Sequence, residues 1–191
     1  MSEIIQQQDT RREFVNTLNE LAKTDDKIIV LIPDVGFNYL SDPNLNFKVI
    51  NTGVTEQSTV MIAVGLALSG FKPYVYSMIN FVLFRPYEMV RNGIVQHKAN
   101  VKLLGVRGSS SYKFLGFSHN MAHSKMTCKK EENFQRRRLE CVCDERSPLN
   151  DEDVRTCKNL DLRWFVPTNN EEVRQVILDT YQDEKSAYIR L

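Results

Sequence analysis

The 191-residue sequence has no apolar run near the roughly 18 residues that a membrane-spanning helix needs. Its first residues, Met1-Ser2-Glu3-Ile4-Ile5-Gln6-Gln7-Gln8-Asp9, also lack the basic-then-apolar order of a secretory signal, so the expected setting is cytoplasmic and no membrane partner is expected. Net charge is nearly absent. The 25 Lys and Arg against 24 Asp and Glu leave +1, so no global field exists to hold nucleic acid, and any charged site must be local. Proline and glycine are not in excess (6 and 8), no repeat is visible and no low-complexity linker interrupts the chain, which excludes collagen-like and disordered architectures. Neither a P-loop nor a Gly-x-Gly-x-x-Gly loop is there to cradle a phosphate. The four cysteines, Cys128, Cys141, Cys143 and Cys157, lack Cys-x-x-Cys spacing, so they read as reduced thiols and no metal site is expected in this chain.

What is present is the composition of a folded protein, 42% hydrophobic and 26% charged, at a length that allows one domain and hardly two. Phe14, Val15, Leu18, Leu21 and Ala22 recur at helical spacing over 10–23. The run at 27–33 is continuously apolar instead of alternating, as in a strand buried on both faces of a parallel sheet. Further strands are expected at 47–50, 73–77, 101–106, 162–166 and 187–191. Between them lie a small-residue helix at 56–68, helical spacing through Phe81, Phe84, Met89, Val90 and Ile94 with Pro86 as a helix start or a kink, one or two turns at 153–159, and a helix opening at Asn169-Asn170-Glu171-Glu172. Strand and helix alternate, which predicts an α/β fold: a single three-layer domain with a mainly parallel sheet and helices on both faces. Such sheets bind ligands at the carboxyl ends of their strands, so the segments that matter are Asp34-Val35-Gly36, 51–56, 77–85 and 105–119.

Several of those segments carry a resemblance. Asn51-Thr52-Gly53-Val54-Thr55-Glu56-Gln57, followed by Ala63-Val64-Gly65-Leu66-Ala67-Leu68-Ser69-Gly70-Phe71-Lys72-Pro73, resembles the pyrimidine-binding domain of the transketolase family of thiamine diphosphate enzymes. Asp34-Val35-Gly36, Arg85-Pro86-Tyr87-Glu88, Arg91-Asn92, Gly116-Phe117-Ser118-His119 and the ending Ala187-Tyr188-Ile189-Arg190-Leu191 follow in the family's order. The resemblance implies the thiamine diphosphate-binding fold and a transferase that moves a two-carbon ketol unit or condenses a 2-oxo acid. It also implies roles for particular residues. Glu56 would pair with a ring nitrogen of the cofactor's pyrimidine and push the exocyclic amine toward its imino form, which then takes the thiazolium proton. Phe81 would stack on the pyrimidine, with Phe84 as competitor, and Val54 would present an apolar side chain to it. His119 and Arg85 would stand on the substrate side, holding a hydroxyl, carbonyl or phosphate of a sugar phosphate or 2-oxo acid, with Arg85 also close to the cofactor. Asp34 is expected near the pocket, while His97 and His123 have no comparable context.

The sequence also departs from the family. No Gly-Asp-Gly occurs, the motif that holds the diphosphate through Mg²⁺, so the resemblance implies a partner chain that carries the diphosphate and Mg²⁺. The expectation is a subunit of a heteromeric enzyme, a homo- or heterodimer, inactive alone. A regulatory or dimerisation paralogue is the alternative. Residues 124–150 have no counterpart in the motif order. They are mostly polar and carry Arg136, Arg137 and Arg138 among acidic neighbours, which reads as an exposed insertion.

Overall fold

A computed structural model describes residues 9–106, 119 and 151–191. The expected insertion at 124–150, with Cys128, Cys141, Cys143 and the arginine triplet, lies outside the described residues. Six strands form one sheet: β1 (Ile28–Ile32), β2 (Lys48–Asn51), β3 (Lys72–Met78), β4 (Lys102–Val106), β5 (Trp164–Phe165) and β6 (Ala187–Arg190). Their order is β2-β1-β3-β4-β6-β5, and every adjacent pair is parallel. The alternation of strands with helices required crossovers of this kind, because parallel neighbours cannot be joined by a tight turn.

The helices are α1 (Thr10–Leu21), α2 (Phe37–Leu40), α3 (Glu56–Leu68), α4 (Tyr87–Met89), α5 (Glu152–Leu160) and α6 (Asn170–Gln182). The starts follow from side chains. Asp9 accepts the backbone N–H of Arg11 and Arg12 at the head of α1, and Asn169 accepts that of Glu172 at the head of α6. Two apolar layers lie on opposite faces of the sheet. Phe14 and Leu18 of α1 and Val173 and Ile177 of α6 pack with Val30, Tyr74, Leu104 and Ile189. Val60 and Val64 of α3, Leu83, Ile94 and Cys157 pack with Leu31, Val75, Leu103 and Tyr188. Successive strand residues face opposite layers, and both layers are apolar, which is why the strands read as unbroken apolar runs.

Three expectations change in detail. The helical spacing through Phe81 to Ile94 is not one α-helix. Two π-helical turns, Asn80–Phe84 and Val90–Val95, flank the short α4. Pro86 supplies the break, since it has no N–H to continue an α-helical ladder, and the Arg85 N–H reaches back five residues to the Asn80 carbonyl (2.8 Å). Helix α5 is nine residues long, and β5 is reduced to two.

The chain leaves β1 for β2 on one side and then returns to β3 on the other. The carboxyl ends of β1, β2 and β3 therefore surround the point where the strand order reverses, and the segments after them converge there.

Candidate active site

The loop from β2 to α3 is built from small polar side chains that bond their own backbone. Asn51 Oδ1 accepts the N–H of Gly53 (2.9 Å) and, across the crevice, that of Asp34 (3.1 Å). Thr52 Oγ1 and Thr59 Oγ1 lie 2.6 Å apart, and Thr55 Oγ1 donates to the Thr52 carbonyl (2.9 Å). Gly53 sits at φ +71°, a conformation that a side chain would strain. These ties make Glu56 the first residue of α3 and place its carboxyl group at the helix's positive end, only 4% exposed.

The first π-helical turn, after β3, contributes Phe81 and is followed by Arg85. The widened turn sets these two on one face, four residues apart. Arg85 Nη1 lies 2.5 Å from Glu56 Oε1, and the Arg85 guanidinium carbon stands 4.1 Å from the centre of the Phe81 ring. His119, from the segment after β4, meets Phe81 in a T-shaped contact with centroids 5.0 Å apart and planes at 84°. Four of the five residues nominated from the sequence thus form one cluster.

The fifth, Val54, is 67% exposed on the loop that leads into α3. Phe84, the competitor for stacking, is turned toward the core and packs against the layer that contains Leu83 and Val90. Asp34 is an exposed residue at φ +57°, tied to β2 through its backbone N–H. His97 is exposed, and His123 lies outside the described residues.

A second charged cluster, missed in the sequence, closes the carboxyl ends of β4 and β6. Arg190 Nη1 bridges Asp151 Oδ2 (2.7 Å) and Asp153 Oδ1 (3.1 Å), and Tyr188 donates from Oη to Asp153 Oδ2 (2.7 Å). Burial pushes the Asp153 carboxyl up, with Arg190 and the Tyr188 hydrogen bond opposing. The two aspartates read as an ordinary acidic helix start, and nothing in the sequence links them to a residue nearly 40 positions away. Among the described residues no group of His, Cys, Asp and Glu has the arrangement of a metal site, and no helix is long and apolar enough to cross a membrane. Cys157 is buried in the apolar layer, and that burial pushes its thiol up, away from the reactive thiolate.

The family model of the transketolase pyrimidine binding domain matches residues 6–191. The chain belongs to this family. Transketolase family proteins use thiamine diphosphate. Among curated relatives, a subunit of the apulose-4-phosphate transketolase of Phocaeicola vulgatus is 36% identical over 116 residues, covering 59% of this chain and 37% of the relative. The 1-deoxy-D-xylulose-5-phosphate synthase of Shouchella clausii is 29% identical over 91 residues, covering 46% of this chain and 14% of the relative. Among solved structures, a split-gene transketolase described as an inactive β4 tetramer superposes with a TM-score of 0.70 at 25% identity, over 95% of this chain and 50% of that one. The transketolase of Pichia stipitis has the same fold, with a TM-score of 0.69 at 14% identity, over 95% of this chain and 25% of that one. Matching thus extends over about a third of the apulose-4-phosphate transketolase subunit and half of the split-gene chain.

Proposed function

We propose that this chain is the pyrimidine-binding subunit of a split, transketolase-like thiamine diphosphate enzyme. The observation that carries the reading is the convergence of a buried carboxylate at a helix start, an aromatic face and an imidazole at the carboxyl ends of β2, β3 and β4. The residues present suit an aminopyrimidine. Glu56 and Phe81 already engage one flat nitrogen-bearing group at once, the Arg85 guanidinium, with an N–H toward the carboxylate and its central carbon over the ring. An aminopyrimidine is likewise flat and nitrogen-bearing, but its ring nitrogen accepts where the guanidinium donates, so against it Glu56 carries the proton.

In this reading Glu56 holds a proton at a ring nitrogen of the pyrimidine, Phe81 fixes the ring's plane, and Val54 covers one edge of it. His119 stands at the mouth beside Phe81, where it orients a hydroxyl or carbonyl of a sugar phosphate or 2-oxo acid, and Arg85 serves the same side. The bound cofactor supplies the nucleophilic carbon that attacks the substrate carbonyl.

The diphosphate and its Mg²⁺ are assigned to a partner chain, because Gly-Asp-Gly does not occur in this sequence. Helix α3 supports a docking surface for that partner. It is apolar on nearly every side, yet Val54 before it and Met61, Ile62 and Leu68 along it are exposed. Because Glu56 opens the same helix, a chain seated on this face lies beside Glu56, where the far end of the cofactor must be held. The setting that suits such an enzyme is the cytoplasm.

The test is reconstitution. The chain is mixed with a diphosphate-binding chain carrying Gly-Asp-Gly, thiamine diphosphate and Mg²⁺, and ketol transfer is followed. Activity is expected only in the mixture, and Glu56→Gln is expected to lower kcat by about 100-fold or more. Undiminished activity of Glu56→Gln overturns the assignment. A second reading is favoured by the inactive β4 assembly of the split-gene neighbour: a non-catalytic paralogue that assembles with itself or with a complete relative. Failure to bind any diphosphate-binding chain selects it.

A further inference from the structure

We infer that Arg85 is a placeholder for the cofactor's aminopyrimidine, occupying its position between Glu56 and Phe81 in the cofactor-free chain and leaving when the cofactor enters. The inference rests on the aminopyrimidine assignment above and adds a competing occupant to it. A single planar group meets both elements of the pocket. Arg85 Nη1 is 2.5 Å from Glu56 Oε1 and the guanidinium carbon is 4.1 Å from the Phe81 centroid. The two contacts leave no room for a second flat ring against the same face of Phe81 and the same carboxylate oxygen.

The exposures show which partner moves. The Glu56 side chain is 5% exposed and anchored at the start of α3, whereas the Arg85 side chain is 37% exposed on the turn before Pro86. A buried carboxylate without a counter-group is costly, so the empty pocket requires a donor, and the guanidinium fork matches a carboxylate and stacks on an aromatic ring. Arg85 thereby holds Glu56 and Phe81 in place before the cofactor arrives. Once displaced, its head lies at the mouth with His119, itself 5.0 Å from Phe81 by ring centres. That movement reconciles its contact with Glu56 and a role on the substrate side.

The consequence is a reduced apparent affinity, since only the fraction of chains with Arg85 swung out accepts the ring. The test uses the full chain and thiamine, which carries the aminopyrimidine but no diphosphate and so does not require the partner. In the free chain, the Arg85 Nε–H resonance is expected at a ring-current-shifted position that Phe81→Leu abolishes. Titration with thiamine should move it to the position of a free arginine. Arg85→Ala, checked for a native amide spectrum, should bind thiamine about tenfold more tightly than the wild type in calorimetry. Thiamine binding with the Arg85 resonance unmoved, or weakened by Arg85→Ala, overturns the placeholder while leaving the aminopyrimidine assignment intact. Absence of thiamine binding to both chains at millimolar concentration overturns both.

Discussion

At the scale of single residues, two buried polar groups on the face opposite the site are informative. Tyr74 is fully buried, and among the described residues its hydroxyl has no hydrogen-bond partner. An orphaned buried hydroxyl costs stability, so Tyr74→Phe should raise the unfolding free energy by about 1 kcal/mol in urea denaturation. Lys102 opens β4 with no exposed surface, its ammonium held by Asn100. Burial pushes it down to about 8, with Asp183 and Glu184 opposing and Arg163 and Lys72 assisting. Between about pH 8 and the unfolded value of 10.5 the unfolded chain holds the extra proton on Lys102, so stability should rise with pH, most clearly from about pH 8 to 9, above which the buried Cys157 thiol, held protonated in the fold, offsets it. Above about pH 10 the raised tyrosines Tyr74 and Tyr188 reverse the trend, because their ionisation then favours the unfolded chain. Lys102→Met should remove the rise and stabilise the protein at pH 7 by about 1–3 kcal/mol, measured as urea midpoints from pH 7 to 10. A rise that persists in the variant assigns it to another group. Glu56, Phe81, Arg85 and His119 were legible in the sequence because each belongs to a local motif. The ion pair between Glu56 and Arg85 was not, since it joins residues 29 apart through a side-chain geometry that spacing does not encode.

At the scale of elements, the strands were readable because double-sided burial leaves a continuous apolar run, and Pro86 marked a start or kink, whereas the π-helical form of the turns on either side of it was not readable. A π-helical turn differs from an α-helical one by a single residue per hydrogen-bonded ring, and the apolar pattern tolerates that difference. The join between α5 and β6 was likewise invisible. Arg190 there pairs with both Asp151 and Asp153, and its removal takes that cation from two largely buried carboxylates. Arg190→Met should therefore cost about 3 kcal/mol or more in chemical denaturation, a loss that an ordinary surface ion pair would not show. The same network constrains its neighbour. A Cβ on Gly105 would lie 2.6 Å from Tyr188 Oη, so Gly105→Ala should displace the tyrosine from Asp153 and lower stability. An unchanged midpoint for Gly105→Ala would show that Tyr188 can give way without loss.

At the scale of the whole molecule, the sheet order places every nominated residue at one end, and the parallel strands explain why: each crossover returns the chain so that its functional turn lies at the carboxyl edge. Among the described residues, the outer face of α3 is left exposed. At 100° per residue, Ser58, Met61, Ile62, Gly65, Leu68 and Ser69 fall within an arc of about 120°, and all are exposed. A helix that is apolar on its inner and outer sides alike has the character of an element packed from both directions, here by the core on one side and, in the proposed enzyme, by the diphosphate-binding chain on the other. The double substitution Ile62→Lys with Leu68→Lys places two charges on that face without touching the core. It should leave the far-UV spectrum and urea midpoint of the isolated chain close to the wild type, while abolishing co-elution with the partner on size exclusion and the activity of the mixture. Co-elution and activity equal to the wild type would remove α3 from the interface and move the partner to another face. Loss of self-association with the partner complex intact would instead make this face a contact between copies of the chain, as in the β4 tetramer of the split-gene transketolase.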